Sequence, residues 1–244
     1  MSGHSKWAKT HRQKQATDAK KGMAFTKIAN LITIASREGG GDINANFKLR
    51  LLAEKARAAN MPKENVERAI KRGTGEGADG KVFEEVTYEI FGPSGTKFIV
   101  EALTDNKNRT VGEIKTILNK NGGQLGALNS VSWIFNRLGV SSLEADQLKD
   151  KNHDDLELVL IDAGAQDIEK NEDGWEIRTA PENLNQIVVA LKSANLEPKE
   201  SSIVYLPKEI MSVTDEDGQN QIDKFYNLLD DLDDVTNVYT NADW

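Results

Sequence analysis

A chain of 244 residues with 38% hydrophobic and 29% charged side chains can build ordinary cores, and it contains no apolar run as long as a membrane-spanning helix. It has no cysteine and only three histidines (His4, His11, His153), which excludes disulfide scaffolds, thiol nucleophiles and cysteine-ligated metals and fits a reducing compartment. The net charge of −8 conceals a division: residues 1–80 hold 16 Lys/Arg against 8 Asp/Glu, whereas residues 141–244 hold 8 against 25. That division implies a cationic module for a polyanion, carried on a body that the same polyanion repels.

The first 22 residues lack apolar periodicity and carry six Lys/Arg with one acid, Asp18, so they read as an arm that is poorly ordered when free. From Ala24 to Arg37 the apolar residues Phe25, Ile28, Ala29, Ile32 and Ala35 recur at helical spacing, and Gly39-Gly40-Gly41 stops the helix. Ala45–Asn60 repeats the pattern, and Pro62 opens a third helix to Arg72, with Glu64–Arg68 and Glu67–Lys71 as four-residue ion pairs. The glycine-rich stretch 73–80 reads as a linker and marks the first domain boundary.

Beyond the linker the period changes. Phe83–Ile90 and Lys97–Leu103 form a hairpin around Gly92-Pro93-Ser94-Gly95, Asn108–Lys120 is a helix closed by Gly122-Gly123, and Ser130–Asn136 reads as a strand. From Val140 the order is strand, helix (154–163), strands (167–170 and 175–179), helix (181–194) and strand (201–206). That βαββαβ order is the ferredoxin-like one. A helix at 217–232 and a strand at 237–239 complete an α/β unit begun at Phe83. The expectation is an α+β protein: a basic helical domain (1–80), then two ferredoxin-like α/β domains, the third (138–206) inserted in the second (81–137 plus 207–244).

Strings that suggest chemistry mostly fail on context. Gly75-x-Gly77-x-x-Gly80 has the spacing of a dinucleotide fingerprint, but a helix precedes it and a strand follows, the reverse of what pyrophosphate binding needs. The acidic runs Asp215–Asp217 and Asp230–Asp234 lack the glycine and terminal glutamate of a calcium loop and read as solvated faces or helix-start charges. No metal site and no cofactor are expected. The arm is the stronger signal. Lys6, Lys9, Arg12, Lys14, Lys20, Lys21 and Lys27 are interleaved with His4, Trp7 and His11, a pattern suited to phosphates with an indole for a base, against the alternatives of a solvated tail or a transit peptide. Arg50, Arg57, Arg68, Lys71 and Arg72 extend this charge over the second and third helices. A second candidate surface is Asp105-Asn106-Lys107-Asn108-Arg109-Thr110, read either as a ligand or RNA surface through Lys107 and Arg109 or as a turn whose Asn108 or Thr110 caps the helix.

Gly3-His4-Ser5-Lys6-Trp7, Asp18–Gly22, Phe25-Thr26-Lys27, Ala59–Lys63, Arg68–Gly73, the Asp105–Thr110 loop, Gly122-Gly123-x-Leu125-Gly126, Ser130-Val131 and Asp233-Asp234-Val235-x-Asn237-Val238-Tyr239 together resemble the YebC/PmpR family. The departures are Lys107, where members often carry arginine, and Ala8-Lys9-Thr10 in place of Asn-Ile-Lys. The resemblance implies a cytoplasmic bacterial protein of three domains; the absence of cysteine, the three histidines and the lack of a recognised catalytic string add the expectation that it is not an enzyme. Members are labelled DNA-binding transcriptional regulators, and relatives such as the mitochondrial translational activator of cytochrome c oxidase act on translation, easing ribosomes through proline-rich stretches. The expected partners are therefore DNA, ribosomal RNA or tRNA, with the ribosome as a further partner, no membrane, and a monomer favoured. Two rivals stand beside this: an enzyme using Asp105 and Arg109 on a nucleic acid or phosphorylated ligand, and a protein-interaction module.

Overall fold

The computed structural model describes residues 18–76 and 83–244; the arm residues 1–17 and the linker residues 77–82 lie outside the described residues. Phe135–Lys208 form one compact unit, and the described residues up to Ile134 together with Glu209–Trp244 form a second.

The second unit opens with three helices, α1 (Asp18–Gly39), α2 (Phe47–Ala58) and α3 (Lys63–Gly73). Helix α1 starts six residues before the expected Ala24, so Asp18–Gly22 belong to a helix and not to the arm. Asp, Ala and Lys all tolerate helical backbone, and one glycine costs only about 1 kcal/mol. Ile28, Ile32, Ala35, Leu49, Ala56, Met61 and Ala69 meet in one buried cluster. Asn46 joins the first two helices. Its Nδ2 donates to Ala35 O (2.7 Å) and Gly40 O (2.9 Å), and its Oδ1 accepts from Leu49 N (3.0 Å) as the N-cap of α2. The expected pairs Glu64–Arg68 and Glu67–Lys71 do not form; Glu67 pairs with Lys63 instead, at 3.4 Å. Between side chains this exposed, either arrangement contributes little.

The same unit then builds a four-stranded antiparallel sheet of order β3-β1-β2-β9. The hairpin β1 (Glu84–Phe91) and β2 (Lys97–Thr104) pairs from Glu84↔Thr104 to Phe91↔Lys97. The short β3 (Gln124–Leu125) flanks β1 and β9 (Val235–Thr240) flanks β2. Helices α4 (Lys107–Asn121) and α8 (Glu216–Asp230) cover one face, where Phe98, Val100, Ile114, Leu118, Phe225 and Leu229 are buried and the Phe98 and Phe225 rings meet edge-on at 5.1 Å. Helix α1 packs beside β2. Two cations secure it and α2 to this sheet layer: Lys27 Nζ donates to Asp230 O at the end of α8 (2.7 Å), and Lys48 Nζ pairs with Glu85 (2.8 Å) and Glu38 (3.2 Å).

Between β3 and the C-terminal elements the chain forms the other unit. Its order is β4 (Phe135–Glu144), the short α5 (Ala145–Leu148), α6 (His153–Asp162), β5 (Ala165–Asn171), β6 (Gly174–Thr179), α7 (Leu184–Ser193) and β7 (Glu200–Pro207). The spatial order β5-β6-β4-β7, antiparallel throughout, is that of a ferredoxin-like βαββαβ sheet. Leu143, Leu160, Trp175, Ile177, Ile187 and Leu191 fill its core. The β5–β6 turn depends on Gly174, at φ 139°, where a Cβ would lie 1.8 Å from Leu143 O. Strands β8 (Met211–Ser212) and β10 (Ala242–Asp243) pair in parallel near the C-terminus of the chain, an element the sequence pattern did not announce.

One expected strand is absent. Ser130–Asn136 divides into a loop with a single 3₁₀ turn at Ser132–Ile134 and the start of β4 at Phe135. The reason lies on β1. The Glu89 carboxylate, 6% exposed, accepts the backbone N–H groups of Asn129 (2.7 Å), Val131 (2.5 Å) and Ser132 (2.8 Å), so those donors are committed to a side chain and not to a ladder. Burial alone would raise the Glu89 pKa, but the donors from Val131, Ser132 and Asn129 more than offset it and hold the carboxyl below its ordinary value. A carboxyl with a depressed folded pKa stabilises above its unfolded pKa of about 4.3 and loses that contribution as pH falls through the folded value. Glu89→Gln should therefore lower stability at pH 7 by ~1–3 kcal/mol and flatten the acid limb of a urea-midpoint against pH curve; an unchanged limb would show that Glu89 is not what fixes the loop.

Candidate nucleic-acid interface

The cations expected to meet phosphate fall into distinct groups. Lys6, Trp7, Lys9, His11, Arg12 and Lys14 lie outside the described residues, and the backbones of Lys20 and Lys21 run in the first turn of α1. Lys27 is half-buried and its ammonium is held at the C-terminal end of α8, where the helix dipole favours positive charge. Arg72 is also half-buried. Its Nε and Nη2 donate to Thr33 Oγ1 (3.1 and 2.9 Å) and Nη2 reaches Asn30 Oδ1 (3.3 Å), so the guanidinium joins α3 to α1. Nearby, Gly73 lets the two helices approach: a Cβ there would lie 2.3 Å from Thr33 O. Arg57, Arg68 and Lys71 are exposed. Arg68 and Lys71, three apart on α3, share one outer face and have no carboxylate partner among the described residues. Arg50 instead lies over the Phe47 ring, 5.2 Å from its centroid.

The Asp105–Thr110 loop is a closed polar knot. Asn106 is the N-cap of α4, its Oδ1 accepting from Asn108 N and Arg109 N (both 3.1 Å), which corrects the expectation that Asn108 or Thr110 caps this helix. An N-cap must be extended while its side chain folds over the first turn; Asn106 has φ −151°, whereas Asn108 and Thr110 already lie inside the helix. Asp234, just ahead of β9, takes Arg109 Nη2 at 3.0 and 2.8 Å, Thr104 Oγ1 at 3.0 Å and Thr110 Oγ1 at 2.6 Å. Asp105 adds a second ion pair to Arg109 at 2.9 Å. The hydrogen bonds that Arg109 donates to Asp234, and then to Asp105, hold its guanidinium still more firmly protonated than usual. Lys107 pairs with Glu84 at 2.5 Å between exposed side chains. Both basic residues of this loop thus already face carboxylates. In the sequence Asp234 reads as one acid in a solvated run and Thr104 carries no reading of its own; the signal available for both is their place in or beside the family-like motifs.

Among the described residues, no group of three His, Asp or Glu side chains gathers as metal ligands, and no helix is long and apolar enough to cross a membrane. What the geometry presents is exposed cations on a helical bundle, Arg57, Arg68 and Lys71, and a polar knot whose two basic residues are already paired.

A multi-domain α+β protein with a basic helical module ahead of antiparallel sheets is the class that fold and surface define. Comparison with known proteins agrees. Residues 5–76 match the TACO1/YebC protein N-terminal domain and residues 83–242 match the TACO1/YebC second and third domain. The chain belongs to the TACO1/YebC family. A relative from Thermotoga petrophila, named "Probable transcriptional regulatory protein", is 49% identical over 99% of this chain and 93% of its own. One from Thermoanaerobacter pseudethanolicus with the same description is 48% identical over 100% of this chain and 97% of its own. The crystal structure of a conserved hypothetical protein from Aquifex aeolicus aligns with TM-score 0.81 and 36% identity over 98% of this chain and 96% of that one.

The knot around Asp234 has a measurable consequence. Asp234→Ala removes the carboxylate acceptor shared by the buried Thr104 and Thr110 hydroxyls, leaving them only each other and backbone partners, and takes one of two carboxylates from Arg109; it should cost ~1–3 kcal/mol in urea unfolding. A cost near zero would mean that water replaces the carboxylate without loss.

Proposed function

We propose that this protein is a regulator of gene expression that works by binding nucleic acid and not by catalysis, gripping phosphates with its basic N-terminal third. The observation that carries the reading is the exposure of Arg57, Arg68 and Lys71 in a region with 16 basic against 8 acidic residues, followed by a body of opposite charge. The names of the relatives support a regulatory role of the YebC type. Phosphate contacts of this kind supply affinity without sequence, so they suit DNA, ribosomal RNA and tRNA alike. RNA is the better fit. The helical module has no evident recognition helix with base-reading side chains at its start, and an acidic body is repelled by a duplex lying along it while an irregular RNA surface lets it stand clear. In this reading the protein acts in the cytoplasm, as a monomer, on ribosomes that stall at proline-rich stretches. The basic arm residues Lys6, Lys9, Arg12 and Lys14, with Trp7 and His11, join the same grip, while Lys20 and Lys21 extend it into α1. Lys107 and Arg109 would contribute only by exchanging their carboxylate partners for phosphate.

The rival enzyme reading loses support from the Asp105–Arg109 geometry, because the two side chains pair with each other and Arg109 pairs with Asp234 as well. The test is a salt titration of binding to single-stranded RNA and to duplex DNA. Arg57, Arg68 and Lys71 changed together to alanine should weaken both equally and flatten the slope of log K against log salt by roughly 0.7–0.9 per lost contact. An unchanged slope would remove these three residues from the interface.

A further inference from the structure

The loop that Glu89 fixes carries the two most exposed large apolar side chains among the described residues, Leu128 at 85% and Trp133 at 66%. Residues 121–136 contain no charged side chain, in a chain where 29% of residues are charged. An indole and a leucine this exposed would fold back on a slack loop. This one is not slack. Besides the three N–H groups on Glu89, Gly126 N donates to Glu89 O (2.7 Å), Ser130 N to Ala127 O (3.1 Å) and Ile134 N to Val131 O (3.1 Å). Asn129 turns the chain at φ 64°, and a Cβ at Gly126 would lie 2.3 Å from Ser130 Oγ. Trp133 Nε1 donates to Ser130 O (3.1 Å), which sets the orientation of the ring.

We infer that the 127–133 loop is a stacking tip that receives an unpaired nucleobase of a single strand on the Trp133 indole, beside Leu128. The inference rests on the nucleic-acid reading above and adds to it a contact that reads bases and not backbone. A loop without a cation has no charge attraction for phosphate, while an aromatic face held outward in advance gains from any base and loses little entropy on contact. The outward cations of the same unit hold phosphates but cannot tell a paired base from an unpaired one; a stacking tip can, because only a base free of its duplex reaches the ring. A protein occupant would favour the same apolar atoms, but it would not depend on whether the nucleic acid carries bases.

That difference is the experiment. The full-length protein is titrated by fluorescence anisotropy with a labelled 12-nucleotide oligoadenylate and with an abasic strand of equal length and charge. The wild type should bind oligoadenylate more tightly. Trp133→Ala should lower that affinity by about 5–100-fold, leaving abasic affinity and the salt slope unchanged, and Trp133→Phe should recover part of the loss. Glu89→Gln, which keeps the indole but loosens its support, should lose part of the same base-dependent increment. Trp7→Ala serves as the control for the other indole in a basic setting. If Trp133→Ala leaves the preference for oligoadenylate intact, or if only Trp7→Ala abolishes it, the stacking tip is overturned while the nucleic-acid reading stands. If Trp133→Ala weakens both strands equally, the residue supports folding or charge and the inference also fails. If the wild type binds neither strand, both readings fall together.

Discussion

Opposite charges in one unit of this chain sort the cations before any ligand arrives. Several cations are taken up by acceptors within the unit: Lys27 by the end of α8, Lys48 by Glu38 and Glu85, Lys107 by Glu84, and Arg109 by Asp105 and Asp234. Others, Arg57, Arg68 and Lys71, stay exposed. A surface pair is worth little in stability, so this sorting matters less for the fold than for which charges remain available to a polyanion.

Much of the architecture was legible in the sequence because it is written in local periods. The 3.6-residue recurrence of Ile28, Ile32 and Ala35 marks a helix, and the alternation through Tyr88, Ile90, Phe98 and Val100 marks a sheet whose buried face is the one that Phe225 covers. The order of elements after Val140 sufficed to name the ferredoxin-like arrangement, since its threading leaves few alternatives. What stayed hidden was set by contacts between distant positions. Ser130-Val131-Ser132-Trp133-Ile134 has strand propensity, yet its donors go to a carboxylate some forty residues earlier. Propensity scales are blind to such a partner.

The same limit governed the candidate site. Net charge located the cationic third, but not which of its members are occupied. Lys27 and Arg72 look in sequence like Arg68 and Lys71, and only the packing of α1 against α3 and against the sheet layer separates them. Asn106 and Asn108 are equally good caps on composition; the backbone just before α4 chose the first. Polar residues in a loop announce that something is bound there. They do not say whether it is a ligand or the protein itself.

The inserted unit has its two ends in register. Phe135, where β4 begins, pairs with Pro207, where β7 ends, and the ladder runs without interruption to Ser142↔Glu200. Entry and exit of some seventy residues are thus separated by one strand spacing, about 4.8 Å. The host chain needs only a tight turn to close over that gap. Such a module can be inserted or removed as a cassette without re-threading its surroundings.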